Sequence, residues 1–236
     1  MVMEMPVPTV ARGGEWRERR PEAVVAEAQA RISAANAWTE ERRAHWRVQQ
    51  AHEHEWAVPV TRVLQYVPPT TVLDVGCGYG TLAVVANMLG HAVTAVDLFV
   101  ENPGVQGPQW LRADVQVPSA LPAGPFGIVV MTEVLEHLSV HPAGVLAEIA
   151  TRMAPWAWFL GSSPDPAVWT DAAPRTPDEM PQWTDEHQHV DAHVCFYDQA
   201  TLAELLRAQD MSILGLFSVG ASRARYFWMA KGRGYE

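Results

Sequence analysis

The segment Val72-Leu73-Asp74-Val75-Gly76-Cys77-Gly78-Tyr79-Gly80 constrains this 236-residue chain more than any other. Its first half reads as a buried strand carrying one acid. Glycines at alternate positions follow, and a helix-forming run opens at Thr81. A strand that enters a helix through such a turn is the start of a βαβ unit, where the chain reverses tightly at the strand's carboxyl end. A side chain at Gly76 or Gly78 would block a ligand lying against that backbone.

The texture after Pro68-Pro69 agrees. Short apolar runs at 71–75, 92–96, 109–111, 126–131 and 156–161 alternate with helical stretches at 81–88, 134–138 and 143–153, as a parallel sheet requires. A helix over 199–209 and two strands over 212–219 and 224–230 close the chain. The connection Gly220 to Arg223 is too short for a crossover, so that last pair is antiparallel. The pattern predicts an α/β fold: a doubly wound, seven-stranded, mostly parallel sheet with an antiparallel last strand and an N-terminal helical extension.

Residues 1–14 lack periodicity and contain Pro6, Pro8, Gly13 and Gly14, which predicts a flexible tail. Residues 15–66 form a helical cap, with Pro21 in a first helical turn and a second helix opening at Thr39. Residues 67–236 form the main domain. Within it, 163–198 is a long segment rich in Pro, Asp, Trp and His, the profile of a lid or binding loop. The first ten residues, with Glu4 and two prolines, lack the apolar core of a secretory leader, and no apolar run approaches a membrane span. Cys77 and Cys195 are too few for a disulfide framework, so a cytoplasmic setting is expected. The net charge of -10 repels polyanions, which argues against nucleic acid as a partner.

Asp97 ends the second strand about 20 residues after the glycines, where an acid can accept both hydroxyls of a ribose. Asp114 ends the third, where it can meet an adenine amino group. With Asp74, Gly76, Cys77, Gly78, Gly80 and Asp97 in these places, residues 60 to 236 resemble the class I S-adenosylmethionine-dependent methyltransferases. The segment Met131-Thr132-Glu133-Val134-Leu135-Glu136-His137-Leu138 is similar to that family's segment after strand four. The resemblance implies S-adenosylmethionine as cofactor and S-adenosylhomocysteine as product, with Leu98, Val115, Thr132 and Glu133 adding to the cofactor site. A nicotinamide dinucleotide fits less well, because Thr81 stands where its third glycine is required.

Methyl transfer from a sulfonium is an in-line displacement, so positioning carries much of the rate. A hydroxyl acceptor must also lose a proton, and His137, oriented by Glu136, or His193 is the expected base. On a helix after strand four, Glu133, Glu136 and His137 share one face. The alternative is that Glu133 touches the cofactor backbone while Glu136 and His137 pack against loops. A third possibility is a divalent metal on Glu133, Glu136, His137 and His193, resembling the small-RNA 3′-end methyltransferases. His187 and His189 lie in the same loop. On the second N-terminal helix, His45 and His52 are seven apart and His54 follows, all candidates to face the pocket. Trp38, Trp46 and Trp56 read as core or lid packing, and Cys77 as packing within the turn. The expected function is O- or N-methylation of a small molecule. A metal-assisted transferase and a non-catalytic cofactor-binding regulator are the alternatives. Acceptor identity and oligomeric state are not written in any general code.

Overall fold

The computed structural model describes residues 14–36, 38–99, 103–167, 175–184, 192–219 and 225–234. Residues 1–13 of the expected tail lie outside these, as do His187, His189 and the connection 220–224. The elements run α1 (Gly14–Arg17), α2 (Pro21–Ala35), α3 (Glu40–Tyr66), β1 (Thr71–Val75), α4 (Thr81–Met88), β2 (Ala92–Asp97), β3 (Gln109–Arg112) and β4 (Phe126–Thr132). A 3-10 turn at Leu135–His137 precedes α5 (Pro142–Arg152), β5 (Met153–Pro164), α6 (Gln199–Arg207), β6 (Ser212–Val219) and β7 (Arg225–Lys231).

The strands form one sheet in the order β3-β2-β1-β4-β5-β7-β6. The pairs among β1 to β5 are parallel, and β7 lies antiparallel between β5 and β6. Side chains alternate across this sheet as the pleat dictates. Val72, Ile128, Val130, Leu160 and Phe227 join a core with α2, α3 and α4. Their neighbours Leu73, Val129, Met131, Phe159 and Trp228 join the opposite core with α5 and α6. Both faces are therefore covered, which is why the strands read as near-continuous apolar runs. The strand order reverses between β1 and β4, and the carboxyl ends at that reversal form the natural crevice.

The N-terminal helices share the first core. Val24, Val25, Ala28 and Ile32 of α2 pack with Trp46, Trp56, Val60 and Leu64 of α3. The helix α3 continues through Pro59, so the packing of that apolar stripe outweighs the missing backbone donor. Arg17 of α1 closes two helix ends. Its Nη1 donates to the carbonyls of Gln65 and Val67 at 2.7 and 2.8 Å, and its Nε to that of Leu89 at 3.2 Å. A cation at unsatisfied terminal carbonyls suits the negative ends of α3 and α4.

Two expectations need correction. The run 143–153 was expected to stay helical to its end, but α5 stops at Arg152 and Met153 begins β5, with Pro155, which disfavours helix at Ala154, two residues on. The stretch 134–138 is not an α-helix. Glu133 takes a left-handed φ of 54°, and only a 3-10 turn follows. The carbonyl of Glu136 accepts instead from the amides of Val194 and Cys195 at 2.8 and 3.3 Å. A tertiary contact thus uses the carbonyl that would have continued a helix, and the shared face of Glu133, Glu136 and His137 does not form.

Candidate active site

The glycine turn is built from its backbone outward. The amides of Gly76 and Cys77 donate to the carbonyl of Val96 at 2.8 and 3.1 Å, tying the turn to β2, and the amide of Gly80 closes back on Cys77 at 2.8 Å. The three glycines serve different ends. A Cβ on Gly76 would stand 2.3 Å from Val134 Cγ2, and one on Gly80 would stand 2.4 Å from the Trp110 ring. Their bareness makes room for protein. A Cβ on Gly78 meets nothing within 4 Å, so this position alone leaves bare backbone facing open space. Gly76, expected to be bare for a ligand's sake, is bare toward Val134 and also lines the open space that Gly78 faces.

That space is a cavity of about 700 Å³ at the carboxyl ends of β1, β2 and β4. Asp74, Gly76, Cys77 and Gly78 line it from the turn, and Asp97 with Leu98 from the end of β2. Asp114 and Val115 approach after β3, and Thr132, Glu133, Glu136 and His137 after β4. His193 reaches it from the far loop, whereas Gly80, at the start of α4, is not among the lining residues. The expected residues therefore converge, with Gly80 set behind the wall against Trp110.

The carboxylates hold distinct stations. Asp97 accepts from the amide of Gly78 at 2.9 Å through Oδ2 and from that of Phe99 at 2.8 Å through Oδ1. Each oxygen keeps a second lone pair for a ligand. Asp114 accepts from the amide of Gln116 at 2.9 Å, and Gln116 in turn accepts from the amide of Ser139 at 2.7 Å. Asp74 lies at 3% exposure with its Oδ2 without a partner. Burial, then the charge of Asp97, pushes its pKa up to about 7, against a hydrogen bond from the Ala83 amide. Burial also raises the Cys77 thiol well above its usual range, so it is no thiolate nucleophile.

Glu133 and Glu136 part company. Glu133 accepts from Ser162 Oγ at 2.7 Å through Oε1. Glu136 is fully buried and accepts from Ser163 Oγ at 3.4 Å. His137 Nδ1 lies 3.2 Å from the carbonyl of Ala192, which can only accept, so Nδ1 carries a proton. The rings of His137 and His193 meet edge to face with centroids 4.8 Å apart. One ligand atom each from Glu136, His137 and His193 lies within 4.8 Å of the others, and Glu133 stands outside that group.

The opposite wall is α3. Arg42, His45, Gln49, His52, Glu53 and Trp56 line the cavity at helical spacing. His45 and His52 thus face it as expected, and His54 does not. His45 Nδ1 lies 2.6 Å from the Tyr79 hydroxyl, and Trp38 and Trp46 pack against the Tyr79 ring at centroid distances of 5.5 and 4.9 Å. Sequence reasoning missed Glu53, Arg42 and Tyr79. The seven-residue step from His45 to His52 was the available signal, since Glu53 lies one position further on the same stripe.

A doubly wound sheet with bare backbone at its switch point, and a carboxylate pinned to that backbone at the end of the adjoining strand, defines a nucleoside-binding α/β domain. Known proteins make this specific. A family model described as a methyltransferase domain matches residues 48–214, and the chain belongs to that family. It is 32% identical over 107 residues to the ubiquinone biosynthesis O-methyltransferase of Burkholderia thailandensis, covering 42% of this chain and 46% of the relative. The chain thus spans less than half the length of the curated relatives it matches. Among solved structures, it resembles the 1,6-didemethyltoxoflavin-N1-methyltransferase of Burkholderia thailandensis, bound to 1,6-didemethyltoxoflavin and S-adenosylhomocysteine. The TM-score is 0.58 at 21% identity, covering 97% of this chain and 93% of the other. An S-adenosylmethionine dependent methyltransferase from Mesorhizobium loti gives 0.54 at 15% identity, over 73% and 96%. At these identities the likeness is one of fold.

Proposed function

We propose that this chain transfers the methyl group of S-adenosylmethionine to an oxygen or nitrogen of a small acceptor, releasing S-adenosylhomocysteine. The observation that supports this most is the pairing of Gly78, bare toward open space, with Asp97, which accepts from its amide. In this reading Asp97 takes the ribose hydroxyls, and Asp114 with Val115 takes the adenine, while Leu98 packs beside the sugar. Gly76, Cys77, Thr132 and Glu133 border the methionine part, and Asp74 lies beneath it. When bound there, the cofactor supplies an electrophilic methyl on a sulfonium.

The acceptor lies between the turn and α3, bounded by His45, Gln49, His52, His137 and His193. Glu53, Asp74, Asp97, Asp114, Glu133 and Glu136 line the cavity against one guanidinium, Arg42. That balance favours a cationic donor and a neutral or cationic acceptor, and it opposes a polyanion. No helix among the described residues is long and apolar enough to cross a membrane. His137 is the base: its Nδ1–H is held by the Ala192 carbonyl, and Nε2 takes the acceptor's proton as the methyl arrives. Buried Glu136 stabilises the resulting imidazolium.

Incubation with methyl-labelled S-adenosylmethionine and a panel of phenols, alcohols and amines, followed by mass spectrometry, tests the reading. The expected product is one methylated phenol or amine with stoichiometric S-adenosylhomocysteine. Tight cofactor binding without transfer to any acceptor would move the chain to the non-catalytic, cofactor-binding class.

A second reading rests on the grouping of Glu136, His137 and His193. A carboxylate and two imidazoles suit a divalent ion such as zinc, which would polarise an acceptor hydroxyl. Metal content of the purified protein and loss of turnover on chelation, restored by added metal, would favour it over the base.

A further inference from the structure

Glu53 was not expected in the site and has no place in the chemistry above. It rises from α3 into the cavity at 9% exposure. Its Oε2 accepts from Gln29 Nε2 at 2.9 Å and from Thr81 Oγ1 at 2.7 Å, which fixes the side chain between α2 and the start of α4. Its Oε1 accepts no hydrogen bond from the described residues. The second carboxyl in this corner is Asp74, fully buried with its Oδ2 also without a partner. The charge of Glu53 acts on Asp74.

Two carboxyls, each with one oxygen that accepts nothing from the described residues, form an arrangement suited to a ligand that supplies positive donors. Thr81 already spends its hydroxyl hydrogen on Glu53, and the one lining guanidinium, Arg42, is engaged with Tyr79. The corner adjoins the glycine turn, because Asp74 precedes it and Thr81 follows it. A ligand laid along the turn therefore presents its end group here.

We infer that Glu53, from the N-terminal helices, joins Asp74 in binding the α-ammonium of the methyl donor's amino-acid end. This rests on the donor reading and adds that the N-terminal helices supply part of the donor site. An ammonium has three N–H donors on a compact charge, enough for both open oxygens and one backbone carbonyl.

The test compares two probes by titration calorimetry. One is S-adenosylhomocysteine. The other is 5′-deoxy-5′-(3-carboxypropylthio)adenosine, which keeps the nucleoside and carboxylate and lacks only the α-amino group. In Glu53→Gln, which retains the oxygen that accepts from Gln29 and Thr81, S-adenosylhomocysteine should bind about tenfold or more weakly. The deamino probe should change by less than about twofold. Equal weakening of both probes would reduce Glu53 to a structural role, and unchanged S-adenosylhomocysteine affinity would remove it from the site; either overturns the inference. If Glu53→Gln does not fold, Glu53→Asp, which withdraws the charge by one methylene, must show the same selective loss. Failure of the wild-type chain to bind either probe would instead defeat the donor reading itself.

Discussion

Alanine at Gly76 and at Gly78 should separate folding from ligand binding, although the two positions lie two residues apart in one turn. Both take positive φ, 68° at Gly76 and 53° at Gly78. A non-glycine residue there costs about 1–2 kcal/mol. Gly76→Ala adds a clash, its Cβ 2.3 Å from Val134 Cγ2, and overpacking of that kind costs a further 1–3 kcal/mol or so. The sum of about 2–5 kcal/mol lowers the melting temperature by roughly 5–15 °C in a chain of this size. Gly78→Ala carries only the backbone cost and should melt within about 5 °C of wild type. Its methyl occupies the space against which the nucleoside lies, so S-adenosylhomocysteine binding should weaken by about a hundredfold or more. Thermal unfolding of the ligand-free proteins measures the first effect and titration calorimetry the second. Gly76→Ala combined with Val134→Ala removes the clashing methyls and should recover part of the loss as a coupling energy of about 1 kcal/mol or more. Near-normal affinity in Gly78→Ala would refute the placement of the nucleoside. An undiminished melting temperature in Gly76→Ala would refute the packing argument.

Asp97→Ala removes an anchor of the turn and the group assigned to the ribose. Two charge-assisted bonds of about 1.5–3 kcal/mol each put S-adenosylhomocysteine binding below detection by calorimetry, and measurable affinity near that of wild type would contradict the assignment. His137→Ala should lower kcat at neutral pH by about 10²–10⁴ with S-adenosylhomocysteine affinity unchanged, and equal turnover in steady-state assays would exclude it as the base. Asp74 gives a pH signature in the ligand-free protein. Its folded pKa of about 7 stands above the ordinary 3.8, so its contribution to stability is complete below about 4 and is lost as pH rises through 7. The shift of about 3 units corresponds to about 4 kcal/mol. Urea unfolding between pH 5 and 8 should show Asp74→Asn gaining on wild type as pH rises, and parallel curves would show that Asp74 is not the titrating group.

The sheet, its two covered faces and the antiparallel closing strand were legible in the chain because they follow from local rules. The alternation of Val72-Leu73 and of Ile128-Val129-Val130-Met131 between the two cores is fixed by the pleat, and the turn at Gly76 to Gly80 requires backbone that other residues rarely adopt. The converging acids, Asp74, Asp97 and Asp114, were also legible, since each sits at the end of a strand whose position the pattern sets. The stretch after β4 was not. Its residues favour a helix, but the left-handed Glu133 and the hydrogen bonds from Val194 and Cys195 to the Glu136 carbonyl prevail over that preference.

What the amino-acid order determined was the nucleoside side of the cavity, because strand ends and glycine turns are properties of contiguous residues. What only the tertiary structure decided was the opposite side: Glu53 bonded to Thr81, Tyr79 under His45, and His137 beside His193 bring together residues up to 56 positions apart. Such meetings depend on how packed helices and loops settle over the sheet, and each is selected by the burial of many side chains at once.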